Sequence, residues 1–387
     1  MAYPNTEGGY NMFDMLSMIQ KAIRRGDYEH AGFAANQLSG TFRTAMWNRL
    51  LVISAEDCFG VITKELISLR KCDECSKKNR NIGNIVALMC RAKKSRDACY
   101  FACNFVLASR KPRNLKPSRE TVSELYRRIK DKKKERSASS GKNARDHYDT
   151  FGFLQMSIFS EGEKTSPAEI PIPEEEMEKV MMGACLQMAL KHRDMDMIGY
   201  EMDMLRRSDR EFLWDVLVDY SESCEVRIEN EILALKEADD IVNKRKKTLE
   251  KDEIFISKAA VLLCHCEDPA FGSVCSSDIV SLESGIYWPA VKVKAIEDCA
   301  LRDGEIPEWV YDCHTLKGRK MGKTDWDMTT TEQAALYPLQ RAYFDDASWI
   351  YTYEQDFENN AISIKGIQPI RKYAETHDAN PVEHIPY

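Results

Sequence analysis

Apolar residues recur at steps of three and four near the start of the chain. Phe13, Leu16, Ile19 and Ile23 form one stripe, with Arg24, Arg25 and Asp27 as its polar end, and this predicts an amphipathic helix. Ala31, Ala34, Ala35 and Leu38 form a second, closed by Gly40. Trp47, Leu50, Leu51, Ser54 and Cys58 form a third, and Ile62, Leu66 and Leu69 continue at helical spacing beyond Gly60. Gly and Pro are sparse through this region, so helices joined by short loops are the economical reading.

The pattern then occurs a second time. WNRLLVISAEDC at 47–58 lies without gaps on LWDVLVDYSESC at 213–224, and the register continues to pair Ile62 with Ile228, Glu65 with Glu231 and Leu69 with Leu235. Upstream, LSMIQKAIRRGD resembles the segment starting at Leu186; downstream, ALMC at 87–90 resembles VLLC at 261–264. Several matches in one order predict a duplicated helical unit, roughly 12–108 and 178–266, of the kind that packs as a pseudo-symmetric pair or a short solenoid.

The intervening stretch is different. A cap at Ser118 or Thr121 opens a charged helix that dissolves into Ser, Gly and Asn, and 161–176 is rich in Pro and Glu, which reads as a mobile connector with a basic and an acidic half. After Cys275 the chain mixes aromatics, prolines and a basic cluster, and its last 60 residues are expected to wrap over the helical body as extended chain with short helices. The expected divisions are therefore 1–110 (first unit), 111–177 (connector), 178–275 (second unit) and 276–387 (irregular extension).

A hydrophobic fraction of 43% beside 30% charged residues is that of a globular protein. No apolar run of about 18 residues is present, so no membrane partner is expected, and the first residues lack the layout of a secretory signal. An intracellular, cytoplasmic location follows as an expectation, with host cytoplasm or nucleus if the protein is viral. The 13 cysteines are scattered, many within apolar stretches, which favours reduced thiols over disulfides. The net charge of −7 disfavours nucleic-acid binding by the whole surface, yet the stretch from Arg110 to Asp146 is strongly basic.

Tyr10-Asn11, IRRGD at 23–27, the small-residue helix ending at Leu38, RLLVISAEDCFG at 49–60 and KKSRDA at 93–98 resemble the C-terminal region of the replication-associated recombination ATPases of bacteria, relatives of the eukaryotic Werner-helicase-interacting protein. There a Tyr-Asn pair opens a helix and an R-G-x-D segment ends it; here Cys58-Phe59-Gly60 stands where that family has Ile-Gly. The resemblance implies an all-helical, oligomerising fold with replication or recombination proteins as partners, and the family's ATPase motor is missing from this sequence. YDCHTLKGRKMGK also resembles the tails of stand-alone versions from phages and large DNA viruses.

Candidate chemistry is thin. Gly318 to Thr324 has three residues between its glycines where a phosphate loop needs four, so it reads as a basic surface turn able to touch a phosphate backbone or to pack against an acidic neighbour. Cys72-x-x-Cys75 with Cys99-x-x-x-Cys103 has the donors for zinc, but the second pair lies on a strongly apolar helix where buried free thiols are the common outcome. Glu56-Asp57 diverge by about 100° on a helix and read as structural acids. No catalytic residue, metal or cofactor is expected. The residues expected to meet nucleic acid are Lys93, Lys94, Arg96, Arg127, Arg128, Lys132, Lys133, Lys134, Arg136, Lys317, Arg319, Lys320 and Lys323. The expectation is thus an all-α, non-enzymatic homo-oligomer associated with DNA; the alternative is a protein-interaction factor, for viral assembly or host modulation, that uses the same scaffold without nucleic acid.

Overall fold

A computed structural model describes residues 4–58, 62–92, 97–106, 116–140, 171–224, 228–244, 246–247, 252–265, 293–312 and 314–323. Their regular structure is helical: α1 (Met12–Arg25), α2 (Tyr28–Leu38), α3 (Arg43–Glu56), α4 (Thr63–Ser76), α5 (Asn79–Arg91), α6 (Asp97–Phe101, running into a π-turn at Ala102–Val106), α7 (Arg119–Ser140), α8 (Glu174–His192), α9 (Met195–Ser208), α10 (Arg210–Ser223), α11 (Glu229–Asn243), α12 (Ile254–His265) and α13 (Leu316–Lys320). The all-α expectation holds: the described residues contain no strand, only an isolated bridge between Asn5 and Asn11.

Local chemistry sets the helix ends. Asn11 opens α1 by accepting from the amides of Phe13 and Asp14. Gly26, at φ 67°, closes it in the left-handed conformation, with the amides of Gly26 and Asp27 bonded to the carbonyls of Ile23 and Ala22. Asp27 then caps α2 through the His30 amide. The junction of α8 and α9 repeats this bond for bond. Arg193 takes φ 54°, the amides of Arg193 and Asp194 reach Leu190 and Ala189, and Asp194 caps α9 through Met197.

These matches fix how one unit lies on the other. Gln20 falls on Gln187, Asp27 on Asp194, Arg43 on Arg210 and Trp47 on Trp214. The register differs from the one read in the sequence, which set Trp47 against Leu213 and Leu16 against Leu186. Beyond the third helix the sequence register holds, since Ile62 and Ile228 each precede the first residue of α4 and α11. The sequence register is off by three positions at Leu16 and by one at Trp47, and the structure loses that one position between the third and fourth helices: Trp47 and Asp73 are 26 apart, Trp214 and Asp239 25.

The units share one hydrophobic core. α3 and α4 face α11 and α12, α6 packs on α12, and the π-turn packs on α9. Lys71 pairs with Glu237 at 2.8 Å across this seam, and buried Lys258 Nζ donates to the Cys58 carbonyl at 2.6 Å. A reciprocal relation ties the two together. The π-turn after the first unit presses on Gly199 of α9, where a Cβ would meet Phe105; the segment after the second unit presses on Gly32 of α2, where a Cβ would meet Cys299. Gly32 and Gly199 occupy equivalent positions.

That later segment, 293–312, lies along the first unit; the last 60 residues, expected to wrap over the helical body, lie outside the described residues. Ile296, Cys299, Val310 and Tyr311 are buried, Tyr28 Oη donates to the Lys294 carbonyl at 2.6 Å, and Lys21 meets Asp312 at 2.9 Å with both side chains buried. The basic half of the expected connector is, however, part of the body. α7 buries Val122, Leu125, Tyr126 and Ile129 as it packs on α8 and α10. The stretch 141–170 and residues 324–387 lie outside the described residues.

Candidate functional site

The strongest expectation from sequence falls on α7, whose cations divide into two sets. Arg128 and Lys132 point inward: Arg128 bonds Asp219 through Nε and Nη2, and Lys132 reaches both Asp219 and Glu222 at 2.7 Å. Lys133 pairs with buried Asp215 at 2.8 Å. Burial alone would raise the Asp219 carboxyl, but bonds from Arg128, Lys132 and Gln187 outweigh it and hold the group below the ordinary carboxylate range. These cations pair with carboxylates of α10. Among the described residues, Arg127 and Lys134 make long contacts to Asp131, at 3.8 and 3.9 Å, and the Lys134 side chain is 74% exposed. Lys93, Lys94 and Arg96 lie outside the described residues, as does the side chain of Arg136.

The turn from Asp312 to Lys323 is a built structure. Asp312 Oδ1 accepts from the amides of His314 and Thr315, Thr315 caps α13 through Gly318, and a Cβ at Gly318 would collide with the Asp312 backbone. Lys317 sits over the Tyr311 ring at 4.2 Å, and Lys323 approaches Glu308 at 3.6 Å. Lys317, Arg319 and Lys320 are exposed. Lys21 holds Asp312 below the usual carboxylate range against the opposing effect of burial, so Asp312, His314 and Arg319 form a turn anchored to α1.

Glu56 and Asp57 are structural, as read from their spacing. Asp57 is fully buried, Arg24 Nε bonds it at 2.5 Å, and Gln20 donates to both acids. Among the cysteines of the zinc pattern, Cys72 and Cys75 are exposed free thiols on α4 whereas Cys99 is buried, and the side chain of Cys103 lies outside the described residues. No group of three or more His, Cys, Asp and Glu side chains among the described residues is placed to hold a metal ion. Eight described cysteines lie outside any disulfide, in line with reduced thiols, but Cys224 is disulfide-bonded, against that expectation.

The polar cluster that sequence reasoning missed is the clearest in the molecule, and it occurs in both units. Arg43 grips Asp73 with Nε and Nη2 at 2.7 and 2.6 Å, Trp47 Nε1 donates to the same Asp73 at 2.8 Å, and Arg43 Nη1 bonds Asn79 at 2.9 Å. Arg210 grips Asp239 with the same two atoms at 2.9 Å each, Trp214 Nε1 donates to Asp239 at 2.8 Å, and Arg210 Nη1 bonds Glu253 at 2.7 Å. The signal was present: Arg-x-x-x-Trp recurs at 43–47 and 210–214. Fork-to-fork pairing with a carboxylate gives orientation as well as strength. Each clamp ties the third helix of its unit to the fourth and to the start of the fifth.

One buried acid belongs to no such cluster. Glu201 Oε2, on α9, has no hydrogen-bond partner among the described residues, and burial pushes its carboxyl up to about 7.

The fold and these clusters define an all-α protein of two like helical units, each locked by an Arg-Trp-Asp clamp. The chain matches no protein-family model, no curated protein and no solved structure. Among the described residues no helix is long and apolar enough to cross a membrane.

Proposed function

We propose that this chain is a non-enzymatic helical scaffold that acts through protein contacts, its partners being a second copy of itself or proteins of replication and recombination. The observation that carries this reading is the spending of Arg128, Lys132 and Lys133 on Asp219, Glu222 and Asp215. Among the described residues of the basic segment, these three cations are paired with carboxylates of α10. The other polar clusters are likewise closed on themselves: Arg24 with Asp57, Lys21 with Asp312, and the two clamps. Size-exclusion chromatography with light scattering tests it. A stable oligomer or partner complex, unchanged by added duplex or single-stranded DNA, is the expected result; a monomer that shifts only with DNA overturns it.

A second reading, contact with DNA, is favoured by the exposed Lys317, Arg319 and Lys320 on the braced α13 and by the outer edge of α7 at Arg127 and Lys134. It requires binding that weakens steeply with salt, because released counterions would drive it. Charge reversal at Lys134 and Lys320 would then abolish binding without unfolding the protein.

A further inference from the structure

The two clamps differ in one respect that bears on chemistry. Cys72 and Cys75, exposed free thiols, bracket Asp73, the carboxylate that Arg43 and Trp47 share. In the second unit the corresponding neighbours of Asp239 are Ala238 and Ile241. We propose that Cys72 and Cys75 form a dithiol modification site that exchanges with small disulfides and, on closing, loosens the first clamp alone.

The geometry links closure to the clamp. Residues three apart on a helix face the same side with Cβ atoms about 5–6 Å apart. A disulfide needs Cβ atoms about 3.5–4.5 Å apart. Cys72 and Cys75 must therefore approach by more than side-chain rotation allows, and the backbone between them has to move. That backbone is the last turn of α4, where the Asp73 carbonyl accepts the amide of Lys77 and the Cys72 carbonyl accepts Ser76 Oγ. Asp73 carries two guanidinium bonds and the Trp47 indole bond, and its displacement strains all three. α4 meets α11 through the exposed pair Lys71 and Glu237, which leaves the second clamp at Asp239 untouched.

The exchange balances without a metal. One cysteine thiolate attacks a sulfur of the small disulfide, forming a mixed disulfide and releasing one thiolate. The second cysteine attacks the protein sulfur of that intermediate and releases the other. Two protein thiols are oxidised, one small disulfide is reduced to two thiols, and the two protein protons pass to the released sulfurs. Buried thiols do not compete: burial raises Cys264 and Cys299 to about 12.

The test uses the full chain under native conditions with oxidised glutathione, followed by tryptic mapping and hydrogen exchange. The expected product is the Cys72–Lys77 peptide with an internal disulfide that dithiothreitol reverses, together with about tenfold or faster exchange in the last turn of α4 and around Trp47. Exchange in α10 and α11 stays unchanged. Persistent mixed disulfides, an absence of reaction, or a closed disulfide with unaltered exchange each overturn the proposal. Cys72→Ser should stop at one glutathione on Cys75 and leave exchange alone; loosening in that variant also overturns it.

Discussion

Trp214 donates its indole N–H to Asp239 at 2.8 Å, the same bond over the same length that Trp47 makes to Asp73 in the first unit. Each indole reaches a carboxylate that already receives two bonds from a guanidinium one helical turn away. A buried carboxylate held this way is costly to lose, because its removal strands a charge. Asp239→Ala leaves Arg210, whose side chain is 7% exposed, with a single carboxylate, and should cost about 3–5 kcal/mol. Trp214→Phe removes one bond and should cost about 1–2 kcal/mol. Asp73→Ala should cost less than Asp239→Ala, since the Arg43 side chain, at 17% exposed, regains water more readily. Equilibrium urea denaturation of the three variants measures the order.

The existence of two units was legible in the sequence, but their register was not, and the reason is physical. Matching Trp47 to Leu213 maximised identities along one apolar stretch, where Leu and Val interchange at little cost. The bonds that discriminate registers are polar: the local caps from Gly26 to Ile23 and from His30 to Asp27, and the long-range clamp from Arg43 to Asp73. Helix caps and clamps therefore carry the alignment, while apolar stripes tolerate a slip. The α7 cations illustrate the complementary limit. Their abundance was plain, but whether Lys132 meets solvent or Asp219 depends on a partner 87 positions away.

That division of α7 gives a charge-reversal test. Lys132→Glu places a third carboxylate beside Asp219 and Glu222 and should destabilise the fold by about 2 kcal/mol or more. Lys134→Glu, on the solvent side, should change stability by less than about 0.5 kcal/mol. Thermal unfolding of both variants distinguishes inner from outer faces. Equal effects would contradict the packing of α7 on α10.

Glu201 predicts a dependence on pH. Its folded carboxyl titrates near 7, above the value of 4.5 for an exposed glutamate, because burial disfavours the charge. The folded state thus holds this proton more tightly than the unfolded state. The stabilisation is complete below pH 4.5 and is lost as pH rises through 7. Glu201→Gln should leave stability unchanged near pH 4.5 and raise it at pH 8, flattening the decline between them. Melting curves across that range check it; a variant that parallels the native protein throughout would show that Glu201 does not titrate there.

The wrapping segment depends on the buried pair Lys21 and Asp312. Asp312→Ala leaves the Lys21 ammonium, 3% exposed, with the Val310 carbonyl as a remaining acceptor. It also removes the carboxylate that receives the amides of His314 and Thr315. The segment should release locally before the helical units unfold. Limited proteolysis should then cut within 293–323 at low protease, while the clamps, followed by exchange of the Trp47 and Trp214 indoles, remain protected.

The equivalent glycines offer the sharpest comparison between the two units. At Gly199 an added Cβ would run into the Phe105 carbonyl, which belongs to the backbone of the π-turn and cannot yield without moving the turn. At Gly32 it would meet Cys299 Sγ, the end of a side chain and not backbone. Neither glycine needs its conformational freedom, since each lies within a helix, so the whole cost is steric. Gly199→Ala should therefore destabilise by about 1–3 kcal/mol, as overpacking does, and Gly32→Ala by less. Cys299→Ala should rescue Gly32→Ala by making the space, and no substitution of the Phe105 side chain should fully rescue Gly199→Ala. Denaturation of the single and paired variants reads the coupling directly, and a full rescue of Gly199→Ala by Phe105→Ala would mean that the side chain, and not the carbonyl, sets the approach of the π-turn to α9.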